Sequence, residues 1–252
     1  DLERRAQAIP PGRIPAGRRR FRMSVLDELI TDIRAAAGMD PLVVFDLDDT
    51  LLSTARRHLR ILREYAAQKP QADLLSRVKP DELRYSIIDT AKAAGLEDQA
   101  LLEELRGYWF ARFFTNDYLR EDAPVTGAAA YCRAVRTAGA GLVYLTGRDE
   151  SMKEGTMVAL GAHGFPVPNG AGVTLILKPR FETPDLEFKN EALRRLQAMG
   201  TVAGSFENEP SHINLFQAAF PKGRNVFVDT KHSGKPVAPH ASVPWIKDFR
   251  RA

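Results

Sequence analysis

The sequence predicts an α/β fold, a parallel sheet core interrupted by a helical insert, and three observations support it. Five short runs rich in β-branched residues recur: "LVVF" (42–45), "GLVYL" (141–145), "VTLILK" (173–178), "TVAGSF" (201–206) and "NVFV" (225–228). Helical patterns separate or follow the later runs, near 125–138, 150–163, 188–199 and 210–219. Strands alternating with helices are the signature of parallel pairing through right-handed crossovers. Residues 53–122 hold no strand-like run, only helical stretches near 54–68, 81–94 and 98–119.

Taken in order, residues 1–22 form a Pro-, Gly- and Arg-rich segment without periodicity, which is expected to be disordered. Met23 opens an amphipathic pattern and is the expected native start. Ser24 is a suitable N-cap for a helix to about Ala37, stopped by Gly38. The first strand follows, apolar on both faces as a strand covered on both sides should be. The segment 53–122 is far too long for a simple βα connection, so it should pack as a unit of its own. Residues 23–52 and 123–252 then make the core. In the last helix of the insert, Trp109 and Phe113, and likewise Phe110 and Phe114, stand at i,i+4 spacing. They serve either to pack the insert on the sheet or to wall a pocket.

Composition bounds the function. With 44% hydrophobic and 27% charged residues, the 252-residue chain reads as a soluble globular protein. No apolar run approaches the roughly 18–20 residues of a membrane helix, and no secretory h-region is visible, so no membrane partner is expected. Cys132 is the only cysteine; it fits a buried helix face, and a cytoplasmic location follows as the expectation. The net charge is +4, but residues 1–22 alone carry seven Arg against Asp1 and Glu3, a balance of +5. The remainder is therefore at −1, and nucleic acid is not an expected partner of the folded body. Nothing in the sequence speaks to oligomeric state.

The chemistry sits where strands end. "LVVFDLDDTLL" (42–52) runs four apolar residues into Asp46, Asp48 and Asp49. Ionised carboxylates so close together need a cation or full solvation. Ligands of open parallel sheets bind beyond the carboxyl ends of the strands. There the sequence places "DLDDT", then Thr146, Gly147 and Arg148, then Lys178, then Glu207, Asn208 and Glu209, with Lys189 at a helix start before the fourth strand. Carboxylates, a hydroxyl–amide cradle and a lysine on one edge suit Mg²⁺ and a phosphate. His58, His163, His212, His232 and His240 show no metal-ligand spacing and are expected at surface or turn positions. "PNGAG" (168–172) reads as a turn, since no helix follows it.

"FDLDDT" matches the DxDx[TV] motif of the haloacid dehalogenase (HAD) superfamily, and "YLTGR", the two lysines and "ENEP" stand in the order of its remaining motifs. Over residues 41–230 the chain resembles this superfamily. The resemblance implies a Rossmann-like core with a helical cap at 53–122. It implies Asp46 as the nucleophile on phosphorus and Asp48 as general acid and then base. Thr146 and Gly147 would hold the phosphoryl group. Mg²⁺ would be bound through Asp46, the Asp48 backbone carbonyl, Glu207 and Asn208. Asp49 is expected to be solvated or capping. The second aspartate argues for a phosphatase rather than a dehalogenase, and the cap argues for a small phosphorylated metabolite.

Two points stay open at this level. Lys189, at the positive end of a helix, is preferred as the motif lysine, with Lys178 of "LKPRFETP" as the alternative. The fourth motif departs from type, since Glu207 replaces an aspartate and Asn208 and Glu209 are further ligand candidates. "ENEP" could instead only cap the helix at 210–219. That departure favours, as an alternative, a non-catalytic phospho-ligand binder. The Arg-rich segment favours, as another, a nucleic-acid end phosphatase.

Overall fold

In a computed structural model, which describes residues 23–36, 38–170 and 172–251, the parallel sheet expected from the sequence is present. Helix α1 (Val25–Ala35) starts where Ser24 accepts a hydrogen bond from the Asp27 amide, and it buries Leu26, Leu29, Ile30 and Ile33. Strand β1 (Pro41–Phe45) is buried at every position. The short strands β2 (Leu52–Ser53) and β3 (Ala123–Pro124) pair antiparallel and bracket the insert like a stem. Strands β4 (Gly141–Asp149), β5 (Val173–Lys178), β6 (Thr201–Glu207), β7 (Arg224–Val228) and β8 (Trp245–Ile246) complete a six-stranded sheet in the order β5-β4-β1-β6-β7-β8. Every pairing in it is parallel. β2, β3 and β8 escape sequence reading because two residues carry no periodicity. The expected disorder of residues 1–22 lies outside the described residues.

The insert holds α2 (Ala55–Gln68), two 3₁₀ turns (Pro70–Arg77 and Pro80–Glu82), α3 (Ile87–Ala93), α4 (Gln99–Phe113) and α5 (Asn116–Leu119). The sequence pattern ran the last two together. The break falls at Phe114 and Thr115, and Asn116 then docks on the core, its side chain accepting from the Gly155 amide at 2.7 Å and donating to the Ser151 carbonyl at 2.8 Å. A hydrophobic cluster around Leu62, Tyr65, Leu75, Ala91 and Leu105 gives the insert its own interior.

The core crossovers are α6 (Ala128–Ala138), α7 (Lys153–Ala162), α8 (Asp185–Met199) and α9 (Pro210–Ala219). One face of the sheet buries Phe45, Phe206, Tyr131 and Phe249 with α1 and α6, and the Phe45 and Phe206 rings stack at 4.8 Å. The other face buries Val44, Leu145, Ile176 and Phe216 with α8 and α9. Cys132 lies buried on α6, as its helix-face position predicts.

α1 rests directly on β6 because Gly204 has no side chain. A Cβ there would stand 2.8 Å from Leu29 Cδ2 and 2.9 Å from the Arg224 carbonyl oxygen. Gly204→Ala should therefore lower stability by about 1–3 kcal/mol, the usual cost of overpacking a filled interior. Urea denaturation measures this, and an unchanged midpoint would mean that α1 is not seated as described.

Candidate active site

The ends of β1, β4 and β6, with α8, converge on one cavity of about 330 Å³, lined among others by Asp46, Asp48, Thr146, Gly147, Lys178, Lys189, Glu207 and Asn208. Asp46 directly follows β1, and its amide still pairs with the Phe206 carbonyl at 3.0 Å. The chain then turns sharply, with the Leu47 carbonyl accepting from the amides of Thr50, Leu51 and Leu52. Asp49 takes the left-handed conformation this turn needs (φ 56°), which Asp tolerates better than most residues. Its carboxylate accepts from the Thr54 amide and hydroxyl, both at 2.9 Å, at the start of α2. Asp49 thus ties the turn together, as the capping expectation had it. Burial pushes its pKa up to about 6.

Lys189 is the centre of the site. It is buried, and its Nζ donates to Asp46 Oδ1 at 2.9 Å and to Glu207 Oε2 at 2.7 Å. Burial alone would lower its pKa, but the two carboxylates hold it well above the lysine range. One positive charge cannot satisfy two carboxylates. Burial first, then repulsion from Glu207, push Asp46 up to about 7 in spite of the lysine. The expectation that Lys189 opens its helix needs correcting. α8 begins at Asp185, so Lys189 sits in the second turn, and side-chain reach rather than the helix dipole brings it to Asp46. Lys178 also lines the cavity, but its Nζ is held by the Phe181 and Thr183 carbonyls and by Asp185.

The fourth-motif residues divide. Glu207 ends β6, is buried, and accepts from the Glu209 amide at 3.1 Å through its second oxygen. Asn208 accepts from the Thr50 hydroxyl at 2.9 Å and donates its amide to the Lys231 carbonyl, so its side chain braces the β1 turn. Glu209 does not cap α9 with its side chain; it accepts from the Ser233 amide and hydroxyl. Asp46 and Glu207, with the Asp48 backbone carbonyl nearby in sequence, fit a hard divalent cation in charge and donor type. They are all oxygen donors and one positive charge short. Among the described residues, no three His, Cys, Asp or Glu side chains are arranged to hold an ion alone. That is compatible with Mg²⁺, which keeps several waters.

A second ionic cluster holds Asp48, and sequence reasoning did not find it. Arg148 donates to both Asp48 oxygens at 2.7 and 3.1 Å, and Arg57 donates to one at 2.9 Å. Asp122, buried behind them, accepts from Arg57 Nε at 2.8 Å and Arg148 Nη2 at 2.7 Å. Burial would raise Asp48, but the Arg148 and Arg57 charges overcome this and hold it well below the carboxylate range. Arg148 reaches this place because β4 leaves the ladder between Leu145 and Asp149, which turns Thr146, Gly147 and Arg148 toward the cavity. A signal for Arg57 existed in the sequence: it shares an i,i+4,i+8 stripe with Ile61 and Tyr65, all three buried.

Of the two roles the sequence allowed, the aromatic residues at the end of α4 take the pocket wall, and their buried packing is within the insert rather than on the sheet. Trp109, Phe113 and Phe114 line the cavity, while Phe113 also packs on Ile61 and Tyr118. Phe110 is exposed and meets Phe181 at 5.2 Å. The expectation of surface histidines fails for His58, which is 4% exposed and lies against Trp109 and Phe113. Burial, then the charges of Arg57 and Lys231, lower its pKa to about 3. His212 also lines the cavity, and burial, then Lys189, lowers it to about 4.

No protein-family model and no curated protein matches the chain. Solved structures do. A HAD-superfamily hydrolase of subfamily IA, variant 1, from Geobacter sulfurreducens superposes with a TM-score of 0.52 at 14% identity, over 85% of this chain and 95% of that one. Protein Tyrosine Kinase A of Mycobacterium tuberculosis superposes with a TM-score of 0.50 at 19% identity, over 83% and 94%. At these identities the likeness is one of fold. The chain has the HAD fold, with a Rossmann-like core and an inserted cap.

The strained charge of Asp46 has a measurable sign. Below about pH 4 Asp46 is protonated whether folded or unfolded. Between about 4 and 7 the unfolded chain loses that proton while the folded one retains it, so the group subtracts stability as pH rises, levelling off above 7. In chelator-treated protein, Asp46→Asn should raise stability by on the order of 2–4 kcal/mol at pH 8 and by little at pH 4. Thermal denaturation at the two pH values measures this, and a loss at pH 8 would show that Lys189 fully neutralises the site.

Proposed function

We propose that the protein is a Mg²⁺-dependent phosphatase acting on a small phosphate monoester through an aspartyl-phosphate. The observation that carries this reading is the buried Asp46 held by Lys189 at the floor of a cavity that also contains Thr146, Gly147 and Arg148. In the first step an Asp46 oxygen attacks phosphorus, the bond from phosphorus to the leaving oxygen breaks, and that oxygen takes a proton from Asp48. In the second, water gives a proton to Asp48 and its oxygen attacks phosphorus. The Asp46–phosphorus bond breaks and inorganic phosphate leaves.

Each residue's part follows from its surroundings. Lys189 fixes the Asp46 carboxylate through one oxygen, and the Thr50 hydroxyl reaches the other at 3.1 Å. Thr146 and the Gly147 backbone supply neutral donors beside the phosphoryl group. In the double arginine bridge Asp48 is ionised, and the two guanidiniums make it a weak base. A phosphate dianion arriving beside Arg148, which lines the cavity, competes for that guanidinium and repels the Asp48 carboxylate, so that Asp48 can hold the proton it donates in the first step. Asp48 has room to move, since its side chain is 34% exposed. Mg²⁺, held by Asp46, the Asp48 carbonyl and Glu207, would offset the charge between nucleophile and phosphate.

Asp46→Asn should abolish phosphate release from a panel of phosphorylated metabolites in Mg²⁺, a loss of at least about 10³-fold given a covalent role. Glu207→Gln should raise the Mg²⁺ concentration needed for half-maximal activity. Colorimetric phosphate release measures both. Turnover retained by Asp46→Asn would overturn the covalent reading.

A further inference from the structure

The floor of the cavity handles phosphate; its wall has a different chemistry. His58 and Trp109 lie nearly parallel, with ring centroids 5.8 Å apart and planes 8° apart, and Phe113 closes the group at 4.6 Å from each. Phe114 and Phe181, from insert and core, meet edge to face at 4.8 Å on the same lining. A sugar or polyol leaving group needs side-chain donors and acceptors for its hydroxyls, and this wall is poor in them. Lys178 is already held by three oxygens. The indole N–H of Trp109 is spent on His58 Nδ1 at 3.1 Å.

That last bond fixes the histidine. Indole nitrogen only donates, so His58 Nδ1 must accept, and the ring proton is on Nε2. Among the described residues Nε2–H has no hydrogen-bond partner, although no buried side-chain nitrogen or oxygen is left unsatisfied. His58 is almost fully buried yet lines the cavity, so this N–H opens onto it. This part of the wall therefore offers flat apolar faces with the His58 N–H at their edge, while the Tyr85 hydroxyl lies elsewhere on the cavity lining.

We propose that the cap wall recognises a planar heteroaromatic ring on the leaving group, stacked against the His58–Trp109–Phe113 group with a ring acceptor hydrogen-bonded to His58 Nε2. This rests on the phosphatase reading for the position of the phosphate and adds the class of ester. A cavity of about 330 Å³ lies at the small end of the ~300–1,000 Å³ range of ligand pockets, which suits one ring system beside a phosphate.

Uridine 5′-monophosphate and ribose 5-phosphate differ only by the heteroaromatic base and separate the two ideas. Titration calorimetry with Asp46→Asn protein in Mg²⁺ should show the nucleotide binding about 5- to 150-fold tighter, as base–aromatic stacking is worth ~1–3 kcal/mol. His58→Phe keeps a flat ring but removes the Nε2 donor and the acceptor of the Trp109 indole N–H, so it should reduce that ratio. In a Trp245→Phe background Trp109 is the sole tryptophan, and the nucleotide but not the sugar phosphate should quench it. Equal affinities for the two esters, or an unquenched Trp109, would overturn the inference even if the wild-type protein released phosphate from both. Selective nucleotide binding without phosphate release from any ester would uphold this wall and overturn the phosphatase reading instead.

Discussion

Lys189 bridging Asp46 and Glu207 is the contact on which the site depends. Two buried carboxylates at the ends of neighbouring strands and a buried lysine from α8 would be untenable singly. Together they leave one negative charge, shared by Asp46 and Glu207 around the lysine. The sheet provides the spacing: β1 and β6 are adjacent in register, so Asp46 and Glu207 emerge side by side. α8 packs across the same edge and delivers the lysine from its second turn. Held this way, the Asp46 carboxylate is ordered by its partners yet keeps a proton affinity that a cation would relieve.

At Asp48 the shift runs the other way, downward rather than upward. Arg57, Arg148, Asp48 and Asp122 sum to neutrality, and Asp122 lies buried behind the two guanidiniums it orients. Arg57 belongs to the insert, whereas Arg148 belongs to the core, so Asp48 is held jointly by both parts of the molecule. Arg57 Nη1 also donates to the Phe113 carbonyl at 3.1 Å, with its guanidinium 4.3 Å from the Phe113 ring. One residue thereby links Asp48 to the aromatic wall. The ionic cluster and the aromatic wall meet on the same helix, α2, through Arg57 and its neighbour His58.

Much of the fold could be read from sequence because burial on both faces leaves uninterrupted β-branched runs, as at 42–45 and 173–178, while crossovers leave 3.6-residue periodicity. The carboxylates stood out because Asp46, Asp48 and Glu207 interrupt or end apolar runs, where a charge is costly. Other features left no such trace. Arg57 and His58 lie inside a helix whose polar neighbours mask them, and only their place on the buried stripe betrays their role. The helix start near Lys189 was misplaced because "PDLEF" offers its cap at Pro184, before any apolar periodicity begins. Asn208 could not be separated from Glu207 as a ligand candidate, since only the folded turn shows Thr50 and the Lys231 carbonyl occupying its side chain.

The central claim is that Asp46 forms a covalent bond to phosphorus, and borohydride trapping tests it most directly. An acyl phosphate is reduced by borohydride to the alcohol, so protein quenched during turnover and reduced should carry homoserine at residue 46 on peptide mass spectrometry. The expected result is the modification at Asp46 alone, dependent on added substrate. Its absence under turnover, or its appearance at Asp48 or Glu207 instead, would rule out attack by Asp46.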